Sequence, residues 1–320
     1  FQILCKPKLI KSFIKSYFFE TLEKTLFTNS FFIIFLVFFV FFKLLSGMPE
    51  LPEVEVVRCF LESHIVGKKI LKVSTVNEKL RYKIPSNLNL SLRNLIIAKI
   101  LRRGKYLILL FKGSKSSLLI HLGMTGYFRL SAQMNEKKHD HIIFFLDTKF
   151  LIFNDIRKFG FIKIYYESEI FSSSHLINMG VEPLSKRFNL SYFNSFKKRT
   201  VELKSLLMNQ SFIAGLGNIY CSEILYDARI SPLRKTNSLK NLEIAKIIKS
   251  TKKILKRSIS CGGTTIKNFI VSEEKIGYFK NKLKVYSRDK KNCFRCLKGI
   301  LIKKIRQSGR STFFCEKCQK

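Results

Sequence analysis

Four of the chain's eight cysteines stand in its last 28 residues as two C-x-x-C pairs, Cys293-Phe-Arg-Cys296 and Cys315-Glu-Lys-Cys318, with eighteen residues between them. Each such turn presents two thiolates to one metal, and a stretch of that length can fold as a hairpin. The end of the chain is thereby constrained to a small tetrahedral module. A redox pair needs only one such motif, so the spacing predicts one zinc ion held by Cys293, Cys296, Cys315 and Cys318. A closed four-cysteine site holds shape and does no chemistry of its own. The chemistry must come from what the hairpin carries and from the rest of the chain. Cys5, Cys59, Cys221 and Cys261 are scattered, unlike a secreted disulfide framework, and fit a reducing compartment.

With 320 residues, 46% of them hydrophobic, the chain can build two modest domains with real cores. Its 59 Lys and Arg against 22 Asp and Glu leave +37. Residues 48–320 hold 53 and 20 of these, hence +33. Such a field favours a polyanion, because each neutralised phosphate releases counterions. A coding bias towards Lys, Ile, Asn and Phe raises the same count, so charge by itself only suggests nucleic acid.

Residues 1–47 pose a separate problem. Thr25 to Phe42 carries no charge and Phe31–Phe42 is wholly apolar, the pattern of a marginal membrane span or a signal-peptide core. The first Met is Met48. The expectation is that translation begins there and that the upstream stretch is non-coding sequence read in frame.

From Met48 onward, Val54, Val57, Leu61 and Ile65 lie at helical spacing, and Gly67 is placed to end the helix. Strand-like segments follow at Ile70–Val76, Leu95–Ile100, Tyr106–Phe111, Leu118–Leu122 and Gly126–Leu130, and His141–Leu146 and Phe150–Asn154 flank a turn. The periodicity fades over Asn178–Phe193, which places a linker at 179–195. Ile244, Ile247, Ile248, Thr251, Ile254 and Leu255 then predict an amphipathic helix stopped by Gly262-Gly263. The expected organisation is α+β and multidomain: a β-rich part at 48–178, a helical part at 196–286 and the zinc module at 287–320.

Met48-Pro-Glu-Leu-Pro-Glu-Val-Glu reads on its own as a proline-stiffened helix entry with acidic residues in the first turn. Its place directly after a Met adds a second meaning. Methionine is normally removed before a small residue, which would leave Pro49 a free secondary amine. An α-amine with a pKa of about 7.7–8.0 is partly neutral at pH 7. It could attack a sugar carbon to form an iminium while Glu50 passes protons to and from the ring oxygen.

This stretch, with Arg102-Arg-Gly-Lys-Tyr, His121-Leu-Gly-Met-Thr-Gly, Lys138-His-Asp-His, Asp155-Ile-Arg-Lys-Phe-Gly, Gly215-Leu-Gly-Asn-Ile-Tyr, Gly262-Gly-Thr-Thr and the terminal cysteines, resembles formamidopyrimidine-DNA glycosylase in ordered motifs covering residues 48–320. The resemblance implies an N-terminal β-sandwich with a flanking helix, a helix–two-turn–helix domain with a lesion loop within Val271–Tyr286, and a C-terminal zinc β-hairpin. It implies Pro49 as nucleophile, Glu50 as its acid/base partner, and Lys105 assisting at the lesion and in elimination. Arg310 would grip phosphate beside the lesion, a task that suits its planar fork. Met124, Arg157 and Phe159 would fill the gap left by an everted nucleotide. His139, Arg199, Lys204 and Asn218 would contact DNA, and Gly215-Leu-Gly-Asn218 would aim backbone N–H groups at a phosphate.

Ile156-Arg157-Lys158 departs from the usual Pro-Arg-Arg, and Thr200 stands where a Lys is common. The 47-residue extension conflicts more deeply: behind residue 48 the nitrogen of Pro49 is an amide and cannot attack. The implied function is removal of 8-oxoguanine and formamidopyrimidines from double-stranded DNA, then strand cleavage by β,δ-elimination. The implied protein is a cytoplasmic, nucleoid-associated monomer with no obligate protein partner. Two other readings stay open. One is an endonuclease VIII-type enzyme for oxidised pyrimidines, a group that typically has Gly at the position of Leu51. The other, if residues 1–47 are retained, is a non-catalytic, membrane-tethered zinc protein that binds DNA.

Overall fold

Proline suits the first helical turn, where its missing N–H would have no partner. Leu51-Pro52 opens helix α1, Leu51–Ile65, whose stripe of Leu51, Val54, Val57, Leu61 and Ile65 is buried. Gly67, at φ +82°, turns the chain out of it. This computed structural model describes residues 48–264, 278–296 and 299–320. The apolar run at 31–42 and residues 271–277 of the expected lesion loop lie outside them.

Two four-stranded antiparallel sheets follow, with a short helix α2, Leu88–Leu92, between the first strands. One sheet has the order β1 (Ile70–Thr75), β6 (Asp140–Leu146), β7 (Phe150–Asn154), β5 (Tyr127–Ser131). The other runs β2 (Ile97–Arg103), β3 (Tyr106–Phe111), β4 (Ser116–His121), β8 (Phe161–Tyr166). Val73, Leu107, Leu109, Ile120, Phe128, Ile142, Phe144 and Phe153 meet between the sheets, and α1 adds Val54, Val57 and Leu61 to the same core. The second sheet is covered on its other face too, by Ile170 and Leu176 against Ile108, Leu119 and Phe161. That is why β3 and β4 read as near-continuous apolar runs. Strand β8 is absent from the periodicity reading; it pairs with β4, and short-range pattern does not report so distant a partner.

The helical part contains α3 (Leu190–Ser195), α4 (Leu203–Met208), α5 (Asn218–Ala228) and α6 (Asn241–Ser260). Helix α3 corrects the expected linker: Asn189 Oδ1 caps it by accepting the N–H of Tyr192 at 2.9 Å, and Phe188 and Phe193 are fully buried in the helical core. A one-and-a-half-turn helix is too short to show a period. The chain ends in the hairpin β9 (Lys303–Gln307) and β10 (Arg310–Phe314). Its two-residue turn, Ser308-Gly309, has positive φ at both positions, +48° and +74°, as tight hairpins require. Gly47–Lys320 forms one compact unit, because α1 is shared: it packs on β2 and β3 and also on α6. Among the described residues no helix is long and apolar enough to cross a membrane.

Candidate active site

Helix α5 begins with N–H groups that its own backbone cannot satisfy. Those of Ile219 and Tyr220 donate to the two carboxyl oxygens of Glu50, at 2.9 and 3.3 Å. The group seated on these N–H groups, which directly follow the Gly215-Leu-Gly-Asn218 stretch expected at a phosphate, is the Glu50 carboxyl. Gly217 makes the seat possible, since a Cβ there would lie 2.4 Å from Glu50 Cδ. Gly215, at φ +86°, accepts the N–H of Leu51 (3.0 Å) and leaves no room for a side chain against it. Glu50 is 4% exposed. Burial lifts its pKa from 4.5 to about 7; the Lys105 ammonium opposes the rise, the charge of Glu53 adds to it, and the two N–H bonds oppose it. Pro49, half-buried, is its immediate neighbour.

The other acids of the same motif have separate tasks. Glu53 accepts the N–H of Glu50 (3.0 Å), the phenol of Tyr220 (2.6 Å), and the N–H and hydroxyl of Thr264 (2.8 and 2.9 Å). It ties the segment that carries Pro49 and Glu50 to α5 and to the Gly262-Gly263 turn. Glu55 accepts Nε of Arg102 at 2.6 Å. Arg102 and Arg103 both bond Glu182, at 2.8 and 3.1 Å, and Glu182 also accepts the N–H of Gly104 at 2.7 Å. Gly104-Lys105 is the turn of the β2–β3 hairpin, so this clamp fixes the turn that holds Lys105. Sequence reasoning missed Glu53 and Glu182, whose partners lie up to 211 residues away.

Lys204 and Asn218, expected at the DNA, bind inside the protein. Lys204 is 1% exposed, and its ammonium donates to Asn218 Oδ1 (2.5 Å), Thr312 Oγ1 (2.6 Å) and the carbonyl of Ser311 (3.2 Å). Asn218 Nδ2 donates to the same carbonyl at 2.9 Å. Burial pushes Lys204 down to about 8; the Glu50 carboxyl opposes the fall and the charge of Arg310 adds to it. The pair ties α4 and α5 to the strand that begins at exposed Arg310. Cys221, buried one turn into α5, lies in the combined field of Glu50, Lys204, Lys105 and Arg310; burial first and Glu50 next push its thiol up. Glu50, Lys204 and Cys221 thus lie together at the start of one helix, in the field of Lys105 and Arg310.

Cys293, Cys296, Cys315 and Cys318 place their sulfurs within 4.8 Å of one another. The Cys293–Cys318 and Cys296–Cys315 separations are 3.9 and 3.7 Å. A tetrahedron with zinc–sulfur bonds of about 2.3 Å has edges of about 3.8 Å, so the donor set fits one zinc ion.

Met124, Arg157 and Phe159 lie on two connections that meet at one end of the sandwich. Arg157 and Phe159 are exposed, with the guanidinium 4.9 Å over the ring. Met124 is half-buried in the turn whose Gly123 abuts Phe159 and Gly160. His139, half-buried at φ +71°, accepts the N–H of Asp155 through its carbonyl (3.1 Å), beside the same loop. Arg199 is exposed, stacked 4.9 Å over Phe196. No contact among the described residues ties it to either group.

Residues 48–162 match the formamidopyrimidine-DNA glycosylase N-terminal domain, 179–270 its H2TH domain, and 299–320 the zinc finger found in FPG and IleRS. The formamidopyrimidine-DNA glycosylase of Rickettsia bellii (strain OSU 85-389) is 42% identical over 271 residues, 84% of this chain and 98% of that protein. Two solved Lactococcus lactis structures, one an FPG mutant with DNA containing Fapy-dG and one Fpg with abasic-site DNA, are each 35% identical. Both cover 85% of this chain, and 100% and 99% of their own, with TM-scores of 0.78 and 0.77. The chain therefore belongs to the formamidopyrimidine-DNA glycosylase family, zinc-finger enzymes of DNA base-excision repair.

Proposed function

We propose that this chain releases oxidised purines, 8-oxoguanine and formamidopyrimidines, and then cleaves the strand as an abasic-site lyase, with Pro49 as nucleophile. The observation that carries the reading is the buried Glu50 carboxyl, with a pKa of about 7, beside Pro49 and in the field of Lys105. A carboxyl poised at neutral pH can give a proton and take it back. The Pro49 amine attacks the sugar carbon that bears the lesion, and the damaged base leaves with the bond electrons, neutralised by the proton that the attacking amine gives up. Glu50 protonates the ring oxygen, the sugar opens, and an iminium joins Pro49 to the open-chain sugar. The iminium acidifies the neighbouring carbon, so loss of a proton expels the 3′ phosphate and a second elimination expels the 5′ phosphate. Lys105 assists at the lesion and in elimination. Arg310, at the hairpin turn, grips the phosphate beside the lesion.

Purine over pyrimidine preference is supported by Leu51, where the pyrimidine-specific group typically has Gly, and by the Met124, Arg157 and Phe159 set. The complexes of the L. lactis relatives, with Fapy-dG and with an abasic site, agree with both activities. The reading includes a monomer acting on duplex DNA in the cytoplasm, at the nucleoid. Borohydride trapping on 8-oxoguanine duplex tests it. A chain starting at Pro49 should give a covalent protein–DNA adduct mapped to that residue. The same chain carrying residues 1–48 should give none, because an acylated nitrogen has no available lone pair. Trapping by the 320-residue form with Phe1 confirmed as its N-terminus, or an adduct mapped to Lys105, would overturn the assignment of Pro49.

A further inference from the structure

Two connections cross between the sheets at the same end of the sandwich. One leads from β4 to β5 and carries Met124; the other leads from β7 to β8 and carries Arg157 and Phe159. One hydroxyl joins them. Thr125 Oγ1 donates to Asp155 Oδ1 at 2.5 Å and accepts the N–H of Arg157 at 3.1 Å. The carboxylate of Asp155, a fully buried residue, also takes the N–H of Arg157 on Oδ1 (3.2 Å) and that of Gly160 on Oδ2 (2.7 Å). The backbones are pressed together as well: a Cβ on Gly123 would lie 2.3 Å from the nitrogen of Gly160 and 2.4 Å from the carbonyl carbon of Phe159. Behind the turn, His121 Nδ1 accepts the N–H of Gly123 at 3.0 Å. The turn that carries Met124 is thus held on both sides, through Gly123 and Thr125, to the segment that carries Arg157 and Phe159.

From this geometry we infer that Thr125 and Asp155 are positioning residues that make Met124, Arg157 and Phe159 one preassembled wedge. The inference rests on the reading of those three as fillers of the gap left by an everted nucleotide. Its content is that they enter the duplex as a unit. The ordering cost of two loops is then met when the protein folds and not again when DNA binds. Asp155 holds the N–H groups of Arg157 and Gly160 and touches no substrate; its bond to the Thr125 hydroxyl joins the two connections.

The test uses the chain beginning at Pro49, with single-turnover excision of 8-oxoguanine and cleavage of a preformed abasic site measured side by side. Thr125→Val keeps the shape and removes both hydrogen bonds. It should lower excision about tenfold more than abasic-site cleavage, the size of one net hydrogen bond. Thr125→Ser, which restores the hydroxyl, should recover most of that loss. A cycle of Met124→Ala, Phe159→Ala and the double variant needs no change at Thr125 and should be strongly non-additive. An additive cycle, equal losses on both substrates for Thr125→Val, or no rescue by Ser would each overturn the wedge. If Met124→Ala and Phe159→Ala do not discriminate lesion from abasic site at all, the gap-filling reading itself fails.

Discussion

In the proposed reaction Glu50 must stay buried and yet exchange a proton. Its N–H partners favour the anion, but burial outweighs them and the pKa settles at about 7. A carboxyl raised from 4.5 favours the folded state fully below that pH and loses the advantage as the pH climbs through 7. At pH 8 the buried anion is a net cost. Replacing Glu50 with Gln should therefore stabilise the protein at pH 8 by about 1–2 kcal/mol, once the weaker acceptor is allowed for, and the gain should vanish towards pH 5. Thermal melts of the two forms across that range check it; a less stable Gln variant at pH 8 would mean that the N–H bonds outweigh desolvation. The same substitution should stop base release from an intact lesion and spare some cleavage of a preformed abasic site, where the aldehyde is already open to the amine. The residues proposed for catalysis could be named from sequence because they sit in contiguous motifs. Glu182 was not, because the hairpin turn it clamps lies 78 residues away and nothing local marks it.

Elements place these residues, and the decisive one is the start of α5. Gly217 has φ −142°, a backbone any residue adopts, so Glu50 is the main obstacle to a side chain there. Gly217→Ala should push the carboxyl aside by about an ångström and cost on the order of 100-fold in excision, while zinc content and DNA affinity hold. Near-normal excision by that variant would show that the seat is not needed. The zinc hairpin is the second such element, and the paired cysteines announced it. Their spacing could not announce what the hairpin does inside the protein, where Thr312 and the Ser311 carbonyl receive Lys204 and Asn218. Cys315→Ser should release zinc and weaken DNA binding by freeing the strand that begins at Arg310. Metal analysis should return one zinc per chain in the parent protein, and no zinc in intact protein would end the claim. At this scale the misreadings have one cause: α3 is too short for a period and β8 is paired by tertiary context, so neither leaves a local signature.

Across the molecule, acids and bases have been sorted. Glu50, Glu53, Asp140, Asp155 and Glu223 are buried, and Glu55, Glu182, Asp227 and Glu243 sit in ion pairs with Arg or Lys. Much of the acidic complement serves the fold, so the surplus of 53 basic over 20 acidic side chains in residues 48–320 is left mainly at the surface. Composition could not separate a coding bias from a working surface; this division of labour favours the surface. DNA affinity should then fall steeply with salt, by about 10³–10⁵-fold between 50 and 200 mM if six to ten phosphates are contacted. Exposed Arg199, steadied over Phe196, is a single test charge. Its replacement by Ala should weaken damaged and undamaged duplex alike and flatten the slope of log K against log salt by about one. Arg157→Ala should behave differently, hurting lesion capture more than binding to an abasic site, because no base remains there to be everted. Titrations of both variants at four salt concentrations separate the two roles. An unchanged slope for Arg199→Ala would remove that residue from the phosphate-binding surface, and equal losses for Arg157→Ala on lesion and abasic DNA would remove Arg157 from the gap.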